Sequence, residues 1–440
     1  MTEKMIIGIK EKPGKAKWVA LSFQHVFAMF GATILVPMAT GLPISVALFS
    51  SGVGTLIYIL CTKAKVPVYL GSSFAYIGVI ASVSGYEDTG VGNYASAMTG
   101  LLAVGLIYVI ISLIIKLVGT NWLHKILPPV VIGPMITIIG LSLSTVAIGS
   151  SGLQGGTWQE MLVALTAFSI VIVVAMFAKG FLRIIPFLIG IIGGYILAVV
   201  LKIVDFSTVK AVLETPSQWF KLPEFMFLGW KDGSANVLGT EITFMKMNFA
   251  ALITIAPLAF VTASEHIGDH AVLSKICGED FLTDPGLDKT LMGDGLATAF
   301  AAMIGGPANT TYGENTSVVG MTKVASVYVT GGAAVIAIIL SFVNVFTTLV
   351  ASIPASVMGG MSIILYGFIA ANGLKVLIEN QVNLASMRNI IIVAAMLVIG
   401  LGDAIIKFSA FQVYGLSLAA LVGIILNLVL PKEKKFKNIE

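Results

Sequence analysis

The chain has 440 residues, 57% of them hydrophobic and 11% charged, with a mean hydropathy of +0.98. A soluble domain carries about 25% charged residues, so this much apolar surface cannot be hidden inside one water-soluble core. The long apolar runs also exclude a β-barrel, whose strands read as alternating segments of about 10 residues, and a net charge of +4 points to no nucleic-acid partner.

The class is therefore an all-α polytopic membrane protein. A Lys-rich head (Lys4, Lys10, Lys12, Lys15, Lys17) leads into an apolar run from Trp18 to Met38. That run exceeds the roughly 7–15 apolar residues of a signal peptide, so it reads as a retained first span. A crossing needs about 20 apolar residues. Further spans are predicted over 43–61, 93–118, 127–148, 160–179, 184–204, 247–274, 289–305, 328–349, 355–374, 387–402 and 412–430. Two segments, 68–82 and 308–322, are too short or too polar for ordinary spans. Counting both as crossings gives fourteen, with both termini on one side.

Charge supports that count. All but six of the 26 Lys and Arg then fall on the side of the termini, including Lys432, Lys434, Lys435 and Lys437 in the tail. Positive residues mark the cytoplasmic side. Both termini are expected in the cytoplasm of a cell whose plasma membrane holds the protein. Residues 205–246 become an external loop containing Trp219, Pro223 and Trp230. The two cysteines, Cys61 and Cys277, sit near cytoplasmic span ends, where a disulfide framework is not expected.

An internal repeat follows from spacing. His25 and His266, each after a polar residue in an apolar span, lie 241 residues apart. The segments "VYLGSSFAYIG" (68–78) and "GPANTTYGENT" (306–316) lie about 239 apart. Seven spans separate each pair, so the second copy is inverted in the bilayer. Interrupted segments at matching positions of inverted repeats point to a mid-membrane binding site. "LPPVVIGP" (127–134) and "IPASVMGG" (353–360) are a third, structural pair. The Gly-Gly pairs along the chain mostly allow close helix approach.

The chemistry concentrates in the broken segments and the eighth span. "GSSFA" and "ANTTYGEN" place Ser, Gly, Asn and Thr where a helix would want Leu and Ala. A short extended piece leading into a half-helix fits both. It leaves N–H groups free to donate and adds a partial positive end. Glu314 is an acid at membrane depth, costly unless it faces a cavity or a partner. Glu265 and Asp269, at i and i+4, share one helix face. Two carboxylates in a poorly solvated site cannot both ionise easily. His266 and His270 lie on a second face, where packing is the competing explanation. A buried pair with His25 is the competing explanation for Glu265. No Arg or Lys occurs in these segments before Lys323. Carboxylate acceptors beside N–H donors disfavour a strongly anionic substrate and suit a planar neutral molecule such as a nucleobase. Titratable groups in the same place suggest proton coupling. No metal cluster, cofactor motif or enzymatic nucleophile is evident.

The segments "FQHVFAMFGATILVP" (23–37), "VYLGSSFAYIG", "SEHIGD" (264–269), "DPGLDKTLMGDGLAT" (284–298) and "NTTYGENTSV" (309–318) resemble the nucleobase–ascorbate transporters, and their uracil permease branch in particular. The resemblance spans nearly the whole chain. It implies two inverted sevens with spans three and ten broken around short β-strands. A core domain would comprise residues 18–120 and 247–350, and a gate domain 121–204 and 351–430, with the external loop at 205–246. It further implies uracil import by proton symport, movement of core against gate, and a homodimer in the lipid bilayer. Glu265 and Glu314 would accept hydrogen bonds from the base. Phe74 and Gly313 would offer backbone N–H groups, and Tyr312 would line the pocket. His25 would support Glu265, and Asp269 or His270 would handle the proton with Glu314. Uracil members often carry His at the position of Asp269, and purine members carry Asp. A purine or xanthine permease is therefore the alternative, ahead of an anion exchanger of similar fold.

Overall fold

The computed structural model describes residues 5–86, 92–402, 404–407, 412–413 and 415–431. Lys4 and the lysines of the tail lie outside the described residues.

The chain is mostly helical. The principal helices are α1 (Lys15–Thr40), α2 (Ile44–Cys61), α3 (Ile77–Ser84), α4 (Ala95–Val118), α5 (Pro129–Ser142), α6 (Trp158–Phe177), α7 (Pro186–Val200) and α8 (Leu258–Cys277). They continue as α9 (Leu287–Met303), α10 (Gly313–Thr322), α11 (Val327–Phe342), α12 (Ala355–Glu379), α13 (Met387–Leu401) and α14 (Gly415–Val429). Their limits follow local chemistry. Gly41 adopts φ 71° after α1 and releases the chain from the helix. Thr157 and Glu160 form a reciprocal capping box at the start of α6. Among the described residues, six helices are long and apolar enough to cross a membrane, counting α5 together with the short helix Ser144–Ser150 that continues it.

Close packing uses the glycines. A Cβ at Gly105 of α4 would stand 2.6 Å from the backbone nitrogen of Ala299 and from the carbonyl oxygen of Gly295, both on α9. These two helices thus meet at backbone contact distance. The helices sort into two groups by contact. In one, α4 and α2 pack on α9, and α11 packs on both α2 and α1. In the other, α12 packs on α5, α6 and α7, while α13 packs on α5 and α14.

In two places a short strand leads into a short helix. β1 (Leu70–Ser72) precedes a 3₁₀ turn at Phe74–Tyr76 and then α3. A later strand, Asn309–Thr311, precedes α10.

Residues 205–246 differ from the loop expected there. They contain a short helix, Ser207–Glu214, and a mixed sheet of β2 (Met226–Gly229), β3 (Gly233–Val237) and β4 (Thr240–Lys246) in the order β2-β4-β3. In β4 burial alternates only over Thr240 and Ile242, after which Phe244 is exposed and Met245 buried, a signal too short to stand out beside the apolar spans. The sheet docks through the Met226 N–H on the Ile304 carbonyl at 3.1 Å and through Phe225 against Phe49, ring centroids 5.1 Å apart.

Candidate functional site

The strand before α10 is β5 (Asn309–Thr311). It pairs antiparallel with β1 in the register Leu70↔Thr311, Gly71↔Thr310 and Ser72↔Asn309. The Ser73 N–H to the Ala308 carbonyl (2.9 Å) and the Tyr312 N–H to the Tyr69 carbonyl (3.2 Å) extend the ladder at both ends. Irregular backbone at membrane depth must be satisfied within the protein. Here neighbouring hydroxyls do so. Thr55 of α2 accepts from the Leu70 N–H at 2.9 Å, and Ser51 donates to the Leu70 carbonyl at 2.8 Å. On the far edge, Thr298 of α9 bonds both the N–H and the carbonyl of Asn309, each at 3.2 Å.

This pair fixes two helix starts. The first intrahelical bond of α10 runs from the Thr316 N–H to the Tyr312 carbonyl at 3.0 Å. The N–H groups of Gly313, Glu314 and Asn315 therefore have no intrahelical acceptor. The same holds for Phe74 and Ala75 at the other start, in the 3₁₀ turn that ends with the Ile77 N–H on the Phe74 carbonyl. Gly313 is exposed, and a Cβ there or at Gly78 would meet nothing within 4 Å. The two half-helices open onto free space.

The predicted acids gather at this opening. Glu265, Asp269 and Glu314 are half-buried. Glu265 and Asp269 stand one turn apart on α8, which packs against α10, the helix that carries Glu314 in its first turn. Among the described residues the Glu265 side chain makes no hydrogen bond, whereas Thr311 of β5 donates to the Asp269 carboxylate. Gly268, between them, is exposed with free space around it. Phe74 is half-buried, its ring parallel to that of Tyr312 within 8° at a centroid distance of 6.4 Å. Tyr312 itself is buried. Its hydroxyl donates to the Ser72 carbonyl at 3.0 Å and accepts from Thr33 at 3.3 Å. It braces the strand pair more than it lines an open pocket.

The histidines lie elsewhere than expected. His25 does not support Glu265. It is buried against Asn315, whose side-chain amide donates to His25 Nδ1 (3.0 Å) and to the His25 carbonyl (3.1 Å). Asn315 thereby ties α10 to α1. His270 is wholly buried and faces away from the opening. Its Nδ1 bonds the His266 carbonyl at 2.7 Å, and its Nε2 bonds the Tyr58 hydroxyl. With the carbonyl able only to accept, Nδ1 carries the hydrogen and Nε2 accepts from Tyr58. His266 bonds Asp294 of α9 through Nδ1 at 2.8 Å, both groups fully buried. The two imidazoles stack with centroids 4.0 Å apart. This second polar cluster joins α2, α8 and α9 behind the acids.

Asp294, Asn315 and Thr311 lie in segments that the sequence singles out, but no role was assigned to them from it. The signal for Asp294 was present: an ionisable side chain two turns inside an apolar helix defaults to a functional reading. Among the described residues, several buried polar atoms around the strand pair, Ser72 Oγ, Ser73 Oγ, Thr310 Oγ1 and Asn315 Oδ1, have no hydrogen-bond partner.

Residues 16–407 match the sequence model described as the permease family. The chain is 46% identical over 442 residues to the uracil permease of Bacillus subtilis (strain 168), covering 98% of this chain and 97% of that one. It is 37% identical over 430 residues to the uracil permease of Escherichia coli (strain K12), with 96% and 93% covered. The putative pyrimidine permease RutG of the same organism is 34% identical, with 98% and 93% covered. Among solved structures, the transmembrane domain of the cyanobacterial bicarbonate transporter BicA superposes with a TM-score of 0.63 at 16% identity, covering 96% of this chain and 100% of that domain. The murine anion transporter Slc26a9 in its inward-facing state does so with a TM-score of 0.65 at 11% identity, covering 95% of this chain and 68% of that one. These two likenesses concern the fold alone. Matched along nearly its whole length, the chain belongs to the permease family that holds the bacterial uracil permeases, and it is a permease and not an enzyme.

Proposed function

We propose that the protein imports uracil across the cytoplasmic membrane together with protons. The reading rests on one arrangement: two half-helix starts are held by a single strand pair, whose Thr311 bonds Asp269, and the helix of Glu265 and Asp269 packs on that of Glu314. N–H groups without an intrahelical acceptor suit the carbonyl oxygens of a pyrimidine, and carboxylates suit its ring N–H groups. Orphaned hydroxyls nearby offer further bonds to a polar ligand or to water. Relatives named as uracil permeases support the same substrate. The carboxylates oppose a fixed anionic substrate, despite the fold shared with anion transporters. Proton coupling is assigned to Asp269 and Glu314 as acids of this opening, with no role for His270. The coupling ion needs no cofactor.

In this reading α1 to α14 make fourteen crossings as two inverted sevens, with both termini cytoplasmic. The core comprises α1–α4 and α8–α11 (18–120 and 247–350). The gate comprises α5–α7 and α12–α14 (121–204 and 351–430). The core carries the substrate past the gate, in a homodimer. The two contact groups of helices are consistent with this division. Uptake of radiolabelled uracil into proteoliposomes, with and without a pH gradient and with xanthine as competitor, tests the proposal. Gradient-driven uptake that xanthine leaves untouched supports it. Indifference to the gradient removes the coupling, and strong competition by xanthine moves the substrate to the purine class.

A further inference from the structure

Glu314 sits at the start of a helix of only 10 residues. Helices this short are marginal without tertiary support. The strand pair anchors the beginning of α10. What anchors its end is less evident from the sequence.

The segment that follows, residues 323–329, meets the amino-terminal arm of the chain. The N–H groups of Ile6 and Ile7 donate to the Lys323 carbonyl at 2.8 and 3.3 Å. Ala325 N–H donates back to the Ile7 carbonyl, and Val327 N–H to the Ile9 carbonyl, both at 2.9 Å. Ile7 and Val324 form a parallel bridge. The Ser326 hydroxyl reaches the Glu11 carbonyl at 2.5 Å. The first two turns of α1 complete the clasp: Trp18 Nε1 donates to the Tyr328 carbonyl at 2.6 Å, and Ser22 to the Val329 carbonyl at 3.1 Å. The Lys12 ammonium stands 5.6 Å from the Trp18 ring centre and 5.8 Å from that of Tyr328. Beneath these bonds Ile7, Val324 and Val329 share a small apolar cluster with Trp18 and Leu21.

We propose that residues 5–12 are a positioning strap for the substrate site. The arm adds as a strand to the connector between α10 and α11. It thereby fixes the carboxyl end of the short helix whose first turn carries Glu314, without touching the opening itself. Asn315 bonded to His25 ties the same helix to α1 at its other end. Arm, α1, α10 and α11 then move as one body. A bound geometry that slips by about 1 Å can weaken function by orders of magnitude.

The binding part of this proposal rests on the uracil reading above; the structural part does not. The test compares the full-length protein with a variant lacking residues 2–9, with Ile7→Pro, and with a cross-linked pair Ile7→Cys and Val324→Cys in a Cys61→Ser, Cys277→Ser background. Hydrogen exchange of the α10 amides and uracil uptake are measured on each. Expected are faster exchange across residues 313–322 in the deletion and in Ile7→Pro, and a KM for uracil raised about fivefold or more with a near-normal maximal rate. The oxidised cross-link is expected to keep both exchange and uptake at the level of its reduced form. Should the deletion not reach the membrane, Ile7→Pro carries the same expectation, since it removes the Ile7 donor and leaves the chain length intact. Unchanged exchange in α10 overturns the strap, as does a cross-link that stops transport. A full-length protein that takes up no uracil overturns the substrate reading instead, and leaves the exchange result to decide the strap.

Discussion

The Tyr312 hydroxyl donates to the Ser72 carbonyl at 3.0 Å, across 240 residues of sequence. One bond thus joins the end of β1 to the residue that opens α10. Tyr312→Phe removes it and leaves a buried carbonyl short of a donor, a cost on the order of 1–3 kcal/mol. The expected outcome is a lower melting temperature in detergent, with uracil binding weakened as the two helix starts lose register. A melting temperature equal to that of the unsubstituted protein would show that the brace contributes nothing.

The acids at the opening divide by their bonds. The Glu265 side chain has no hydrogen-bond partner among the described residues, whereas that of Asp269 accepts from Thr311. Glu265→Gln and Glu314→Gln each keep the shape and lose the charged acceptor. Both are expected to abolish uracil binding, measured by calorimetry, while leaving the melting temperature nearly unchanged. Tight binding by Glu314→Gln would count against the site as drawn.

Behind them, Asp294 and His266 form a fully buried pair at 2.8 Å. Removing one member strands the other, at about 3–5 kcal/mol. Asp294→Ala is expected to destabilise on this scale, and Asp294→Asn less, because an amide oxygen can still accept from the imidazole. Denaturation in mild detergent measures both. Equal loss in the two variants would mean that the carboxylate charge, and not its acceptor geometry, is what α8 and α9 require.

Backbone contact between α4 and α9 gives a steric prediction. At Gly295 a Cβ would stand 2.6 Å from Tyr108 Cβ and 2.8 Å from the Gly105 carbonyl. The carbonyl cannot turn aside as a flexible side chain can. Gly295→Leu should therefore prevent assembly of the folded protein, read as loss of a monodisperse peak on size exclusion. A stable, monodisperse variant would refute the close approach.

On the polar surface, Lys65 bonds the Asp284 carboxylate at 2.5 Å. That hydrogen bond, followed by the charges of Lys65, Lys289 and Lys10, holds the Asp284 carboxyl below the ordinary carboxylate range. A depressed folded value means that the stabilisation is complete above the unfolded value of about 4 and fades as pH falls through the lower folded one. With Asp284 71% exposed, the effect is small. Comparing the melting temperature of the parent with that of Asp284→Asn across pH should show a modest gap at neutral pH that closes in acid. A gap that widens in acid would reverse the sign of the assignment.

What the sequence determined by itself is local. Long apolar runs set where the helices lie, because hydropathy is summed over neighbouring residues. "GSSFA" and "ANTTYGEN" marked the two interruptions, because Ser, Gly, Asn and Thr resist a continuous helix in oil. The placing of Glu265 beside Asp269 followed from helix periodicity alone. The tertiary structure decided the partners. Glu265 and His266 are adjacent in sequence, yet one faces the opening and the other is sealed against Asp294. Neither the pairing of His25 with Asn315 nor that of His270 with Tyr58 can be read from spacing, since each depends on how helices from distant parts of the chain rotate against one another. Burial carries the reason: in a low-dielectric interior each polar group must take the partner that packing brings within reach, and packing is a property of the whole chain.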